Sequence, residues 1–211
     1  MVYSIISAFP EIFDSFLKSS LIKKALDKKV ITVNLYNLRD YATDKRHTVD
    51  AKPYGGGAGM LYMVEPMFKA VSSIKAKDPQ AQTVIFSPKG QILTQSRVSS
   101  LSSLSHLVLL CPRYEGFDQR IVELTNAREL SIGNYITMGG ETPAMVLIEA
   151  SARLIPGVVA KEESVLQESF SPEFSLEHPQ YTRPQKFLGL SVPDTLISGN
   201  HQKIKDWKKS N

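Results

Sequence analysis

The chain has 211 residues, of which 42% are hydrophobic and 22% charged; that is the balance of an ordinary globular domain with a small appendage at most, and it excludes fibrous and disordered chains. The net charge of +4 gathers at one end, where HQKIKDWKKSN sets four lysines against Asp206 and leaves the body nearly neutral; such an end, with Trp207 in it, suits contact with a nucleic-acid backbone as well as it suits a solvated terminus. Cys111 is the only cysteine, which rules out an internal disulfide or a multi-cysteine metal site. With no basic n-region before Pro10 and no apolar run near the ~20 residues of a spanning helix, the sequence predicts a cytoplasmic protein without a membrane segment.

In chain order, Tyr3–Phe9 is apolar and β-prone, and predicts a first strand. After Pro10, a good first-turn residue, Ile12, Phe13, Phe16, Leu17 and Leu21 share one helical face. Ile31, Val33 and Leu35 alternate within a second strand that reaches Tyr36. Residues 37 to 62 have no period, and lengths of that kind are usually functional. Met63, Val64, Met67, Ala70, Val71 and Ile74 then form a second helical stripe. Strands are expected at Thr83–Phe86 and His106–Cys111, a short one before Ser131, and a third helix from near Pro143 to Leu154, stopped by Pro156-Gly157. Strands alternating with helices predict an α/β fold, a mostly parallel sheet with helices on both faces. Residues 158 to 187, with Pro172, Pro179 and Pro184, read as a linker to a small helical piece.

The irregular segment holds YGGGAGM, with Gly55, Gly56, Gly57 and Gly59. Met60 and Leu61 stand where a phosphate-binding P-loop needs Lys and Ser or Thr, and the dinucleotide spacing G-x-G-x-x-G after a strand is absent. The glycines therefore point to close approach or special backbone geometry rather than to nucleotide hydrolysis. Parallel sheets bind ligands at the carboxyl ends of their strands. The loops that leave the strands there are SPKG, CPRYEGFDQR and SIGNYITMGG. They offer backbone groups, small residues and an aromatic each (Phe86, Tyr114, Tyr135) with few charges, which suits a flat ring with hydrogen-bonding edges. The four histidines have neither the spacing nor the cysteine partners of a metal site, so no metal ligand is assigned.

PYGGGAGM, SPKG, RYEGFDQR, SIG-Y with GGE-PAM, R-IPGV, HPQYTRP and SGNH-IK-W stand in the order and spacing of one family. Over essentially the whole chain the sequence resembles the bacterial tRNA (guanine-N1)-methyltransferases, TrmD, of the SPOUT superfamily. The resemblance implies an α/β domain with a deep trefoil knot at residues 1–157, a flexible linker at 158–187 and a truncated C-terminal helical tRNA-binding segment at 188–211. It implies a homodimer, with active sites at the subunit interface, that transfers methyl from S-adenosylmethionine to N1 of the guanosine at position 37, in the tRNA anticodon arm.

The cofactor loops of the family map to Phe86, Ser87 and Pro88; to Pro112, Tyr114 and Glu115; and to Ile132, Gly133, Asn134, Tyr135, Ile136, Thr137, Gly139 and Gly140, with Pro143 at the head of the next helix. Guanine N1 is a poor nucleophile until it loses its proton. A carboxylate that accepts it and a guanidinium that stabilises the charge growing on O6 suffice for the chemistry. By resemblance these are Glu168, where the family has Asp, and Arg153; as plain alternatives, Glu168 is a solvated linker acid and Arg153 caps its helix. Arg46, His47 and Asp50 map to residues that read the preceding guanosine, with a turn cap as the alternative for Asp50. Gly57 and Gly59 map to a wall for the flipped target base. Similar enzymes depend on magnesium, which would act as an assisting ion. Pro112, Asn134, Met138, Ala58, Glu168 and the short C-terminus depart from the family pattern. They leave a second reading open, a weakened or inactive module that binds tRNA or S-adenosylmethionine. A sister SPOUT enzyme with another RNA target is a third.

Overall fold

The computed structural model describes residues 1–159, 170 and 178–210. They fall into two compact units, Met1–Ala160 and Lys161–Asn211.

The first unit is built on five parallel strands, β1 (Val2–Ser7), β2 (Thr32–Asn37), β5 (Gln82–Ile92), β6 (His106–Leu110) and β7 (Arg128–Ser131), in the order β2-β1-β6-β5-β7. The near-continuous apolar runs of β1 and β6 are what a strand covered on both faces requires. Successive residues of these strands point to opposite faces. Tyr3, Ile5, Leu107, Leu109, Val84 and Phe86 enter one core with α2 (Ser20–Asp27), α4 (Gln95–Ser102) and α6 (Glu141–Ala152). Ile6, Val108, Leu110 and Ile85 enter the other with α3 (Val64–Lys75) and α5 (Arg120–Thr125). The result is a three-layer α/β/α unit, the class that the strand and helix alternation predicts.

Within it, the expected helix after Pro10 is broken. A 3-10 turn at Pro10–Phe13 and a single turn α1 (Asp14–Leu17) precede α2, and Ser20 adopts a left-handed φ of 52° at the break. Two helices have no stripe long enough to be read from sequence: α4 buries only Val98 and Leu101 among its serines, and α5 spans six residues. The period-free segment contains a small antiparallel ladder, β3 (Asp50–Ala51) with β4 (Leu61–Tyr62), which closes the glycine run into a hairpin-like excursion.

Strand β5 is longer than its expected Thr83–Phe86, because it leaves the sheet and returns. Leu130 of β7 pairs with both Phe86 and Gln91, and the chain between them, Ser87–Gly90, loops outward. Gly90 makes the return possible, since a Cβ there would lie 2.5 Å from the Leu130 nitrogen.

At the amino edge of the sheet, Ser4 Oγ lies 2.9 Å from His106 Nε2, and His106 Nδ1 lies 2.8 Å from Asp78 Oδ2. This Ser-His-Asp chain has the residues of a nucleophilic triad, but Ser4 is fully buried, so it ties β1 to β6 and to the loop after α3 rather than meeting a substrate. The His106 hydrogen bond is the main reason the Asp78 carboxyl lies below its ordinary range.

In the second unit, Leu188 and Gly189 take left-handed φ values of 47° and 87°, which fit the two-residue loop between strands Lys186–Phe187 and Leu190–Ser191. Helices Asp194–Ile197 and His201–Ser210 follow, the second started by Asn200, whose side chain accepts from the Lys203 amide at 3.0 Å. The Trp207 ring lies 5.9 Å from His178 and 6.2 Å from Tyr181.

Candidate active site

The three loops expected to converge do so. A cavity of about 360 Å³ at the carboxyl ends of the strands is walled by Phe86–Lys89, by Pro112–Phe117 with Gln119, and by Leu130–Ile132 with Tyr135–Gly140, and Pro143 of α6 closes it. That size is in the range of small-molecule and cofactor sites. Of the residues assigned to a cofactor, Gly133 and Asn134 alone do not line it: Gly133 has φ 157° and would crowd the Tyr135 ring with a Cβ at 2.3 Å, and Asn134 is exposed.

The first and third loops are held by hydrogen bonds between their own side chains and main chain. In the first, the Lys89 amide donates to Ser87 Oγ at 3.2 Å. In the third, Ser131 Oγ donates to the Gly133 carbonyl at 3.0 Å, Tyr135 OH to the Ile132 carbonyl at 3.2 Å and Thr137 Oγ1 to the Gly139 carbonyl at 2.9 Å. The second and third loops cross tightly. The Gly140 amide donates to the Pro112 carbonyl at 2.7 Å, and a Cβ on Gly140 would sit 2.6 Å from Cys111 Cα. Pro112 thus lacks an amide to donate but supplies the carbonyl that fixes the crossing.

Behind the crossing lies an ion pair that the sequence reading did not single out. Glu141, 1% exposed at the start of α6, accepts from Ser7 Oγ at 2.7 Å and from Arg113 Nε at 3.1 Å. The Arg113 guanidinium also lies 4.8 Å above the Phe9 ring centroid. One carboxylate therefore joins the end of β1, the second loop and the first turn of α6. Its charge adds to burial, the larger cause, in pushing the Cys111 thiol and the Tyr62 phenol well above their ordinary ranges. The signal was an opposite charge in each of two glycine-bearing loops, RYEG and GGE. With Lys89 and Glu115 also on the wall, the site carries more charge than the loop composition suggested.

The glycine run packs on the second loop. The Glu115 amide donates to the Met60 carbonyl at 3.1 Å, the Tyr62 amide to the Gly116 carbonyl at 3.0 Å and the Asp118 amide to the Tyr62 carbonyl at 3.0 Å. Gly59 faces Glu115, whose Cγ would lie 2.4 Å from an added Cβ. Gly55, Gly56 and Gly57 meet nothing closer than 4.0 Å, yet have φ of 85°, 81° and 122°. Their requirement is conformational, while that of Gly59 is also steric. Tyr54 beside them is 99% exposed.

Of the guanosine-reading candidates, Arg46 and His47 lie in the loop before β3 and Asp50 opens β3 itself. Asp44 organises that loop: Thr48 donates from its amide and its hydroxyl at 2.8 Å each and the Arg46 amide at 3.3 Å, and these bonds, the Thr48 amide first, lower the Asp44 carboxyl. His47, at φ 55°, has Nδ1 2.9 Å from the Arg39 carbonyl, and Arg46 is exposed. Asp50 pairs with Tyr62 in the ladder, so the turn residue here is Asp44. Arg153 is the C-terminal cap of α6, exposed, and twelve helical residues, roughly 18 Å, separate it from the pocket end of that helix. Glu168 lies outside the described residues.

A parallel three-layer domain, with a cofactor-sized cavity made by three strand-end loops and a tight loop crossing, defines the class: an α/β protein with its ligand site at the carboxyl edge of the sheet. A family model described as tRNA (Guanine-1)-methyltransferase TrmD matches residues 1–211, and the chain belongs to that family. Proteins named tRNA (guanine-N(1)-)-methyltransferase are similar along nearly its whole length. That of Carboxydothermus hydrogenoformans is 48% identical over 99% of this chain and 81% of its own, that of Nostoc punctiforme 48% over 99% and 87%, and that of Dictyoglomus turgidum 46% over 97% and 82%.

Proposed function

We propose that the protein is a tRNA methyltransferase that methylates guanosine at N1, and that its target is the guanosine at position 37 in the anticodon arm. Full-length membership of the family carries the reaction, and the weakened-module alternative is not favoured. In support of a cofactor in the strand-end cavity, its lining combines apolar residues such as Phe86 and Pro143, which suit a flat ring, with residues of three loops whose main-chain groups would pair with ring edges. S-adenosylmethionine fits those features and supplies an activated methyl group when bound. The tight crossing at Pro112 and Gly140 supports the knotted threading typical of the superfamily.

The chain's own groups do the rest. A carboxylate at Glu168 takes the N1 proton and the Arg153 guanidinium holds the charge that gathers on O6. Arg153 stands at the far end of α6 from the cavity of its own subunit, which supports a homodimer in which sites form at the interface. Tyr135, Ile136 and Met138, 59%, 78% and 90% exposed at the cavity rim, offer apolar surface for it. Arg46, His47 and Asp50 read the neighbouring guanosine, and the second unit grips the RNA. Magnesium would act as an assisting ion; among the described residues no three His, Cys, Asp or Glu gather as a metal cluster. None of the described helices is long and apolar enough to cross a membrane, in keeping with work on tRNA in the cytoplasm.

Methyl transfer to a tRNA transcript, beside one with the guanosine at position 37 replaced, tests this reading. Transfer to the first alone is expected, and equal transfer to both would overturn the assignment. In single-turnover assays Glu168→Gln is expected to slow transfer by about a hundredfold or more while leaving S-adenosylmethionine affinity unchanged; near-normal rates would remove Glu168 from the reaction.

A further inference from the structure

A second cavity, of about 590 Å³, lies at the β7 edge of the sheet, between the returning arm of the first loop (Lys89–Gln91), α4 (Arg97, Ser100) and β7 (Arg128, Glu129). Three cationic residues, Lys89, Arg97 and Arg128, and one acidic residue, Glu129, line it, in a domain whose charge is otherwise close to balanced. Lys89 and Arg128 are exposed and have no ion-pair partner among the described residues. Arg97 is already oriented: its Nη1 donates to the Ile92 carbonyl at 2.8 Å and its Nε to Gln91 Oε1 at 3.2 Å, so its remaining N–H groups are positioned before any ligand arrives. Glu129 is engaged by Gln119 Nε2 at 3.0 Å, which draws its charge toward the first cavity.

None of the lining residues is aromatic. A base or another flat ring would find no aromatic stacking partner, whereas phosphate oxygens would find fixed and mobile donors. Lys89 lines both cavities, so a strand lying in this groove would lead to the candidate active site. We propose that the groove binds the phosphate backbone of the tRNA substrate through Lys89, Arg97 and Arg128 and orients it toward the cofactor cavity. The inference rests on the reading of the protein as a tRNA methyltransferase.

The test measures tRNA binding by filter retention across a salt series for the full chain and its Arg128→Glu and Arg97→Gln variants, beside calorimetric titration with S-adenosylmethionine and thermal melting. Arg128→Glu is expected to weaken tRNA binding roughly tenfold at low salt and to flatten the slope of log affinity against log salt by about 1, with S-adenosylmethionine affinity held within twofold. Arg97→Gln is expected to act in the same direction and less strongly. Inorganic phosphate is expected to compete with tRNA no better than chloride at equal ionic strength. Unchanged tRNA affinity and slope in both folded variants would overturn the proposal, as would saturable phosphate binding that the variants abolish without weakening tRNA. Tight, salt-sensitive tRNA binding by a wild-type protein that transfers no methyl group would instead sink the methyltransferase reading and leave the groove standing.

Discussion

Glu141 illustrates how one carboxylate can hold a site without lining it. It is buried, it joins three segments, and its cationic partner remains 24% exposed at the side chain. Glu141→Gln keeps the shape and leaves the Arg113 charge without its counter-ion. The expected cost is on the order of 2 kcal/mol, below that for a fully buried pair because water still reaches Arg113. S-adenosylmethionine affinity should fall with it, since the second and third loops lose their common anchor. Calorimetric melting and titration check both, and combining the change with Arg113→Met should restore part of the stability, because no lone charge then remains. Undiminished stability in Glu141→Gln would show that the pair is idle. At this scale the sequence displayed the wall residues, because they sit in contiguous loops, but it hid this pair. Arg113 and Glu141 are 28 positions apart, and their meeting depends on a crossing that no local pattern encodes.

Among the elements, the glycine excursion between β3 and β4 separates two reasons for glycine. Gly57→Ala should cost about 1 kcal/mol of backbone strain at its φ of 122° and leave the cofactor cavity intact, since no atom lies closer than 4.0 Å to the new Cβ. Gly59→Ala drives into Glu115, which must swing away and take its carboxylate with it. The expected outcome is normal S-adenosylmethionine binding in Gly57→Ala and binding weakened several-fold in Gly59→Ala; equal binding in the two would mean that Glu115 moves freely. Sequence patterns revealed the strands of the parallel sheet and the two long helices well, because most of those elements bury a whole stripe, but not the short ladder of β3 with β4. They missed α4, whose serines face water and whose burial rests on Val98 and Leu101, and ran α1 and α2 together because a left-handed Ser20 leaves no trace in hydrophobic spacing. The outward loop of β5 was equally silent, since it depends on Leu130 pairing twice.

For the molecule as a whole, alkaline stability follows from its buried phenols. Tyr3 is fully buried between β1 and α6, where its hydroxyl lies 2.8 Å from Ser151 Oγ, and burial pushes its phenol up to about 12. In the unfolded chain a tyrosine ionises near pH 10. Above that pH the unfolded state releases a proton that the native state keeps, so the contribution of Tyr3 is fully present below pH 10 and is lost as pH rises toward 12. Tyr62, raised chiefly by burial, acts in the same direction. Tyr3→Phe should therefore show a shallower fall in stability between those limits, measured by urea unfolding at several pH values, and an unchanged slope would mean that the phenol ionises without unfolding. Cys111 has a further consequence for anyone wishing to watch this protein at work. It is the only thiol in the chain, it is buried, and burial keeps it protonated. A cysteine placed at exposed Tyr54 would be the one address open to a maleimide dye, so the wild-type background already serves for single-site fluorescent labelling without first removing a native thiol.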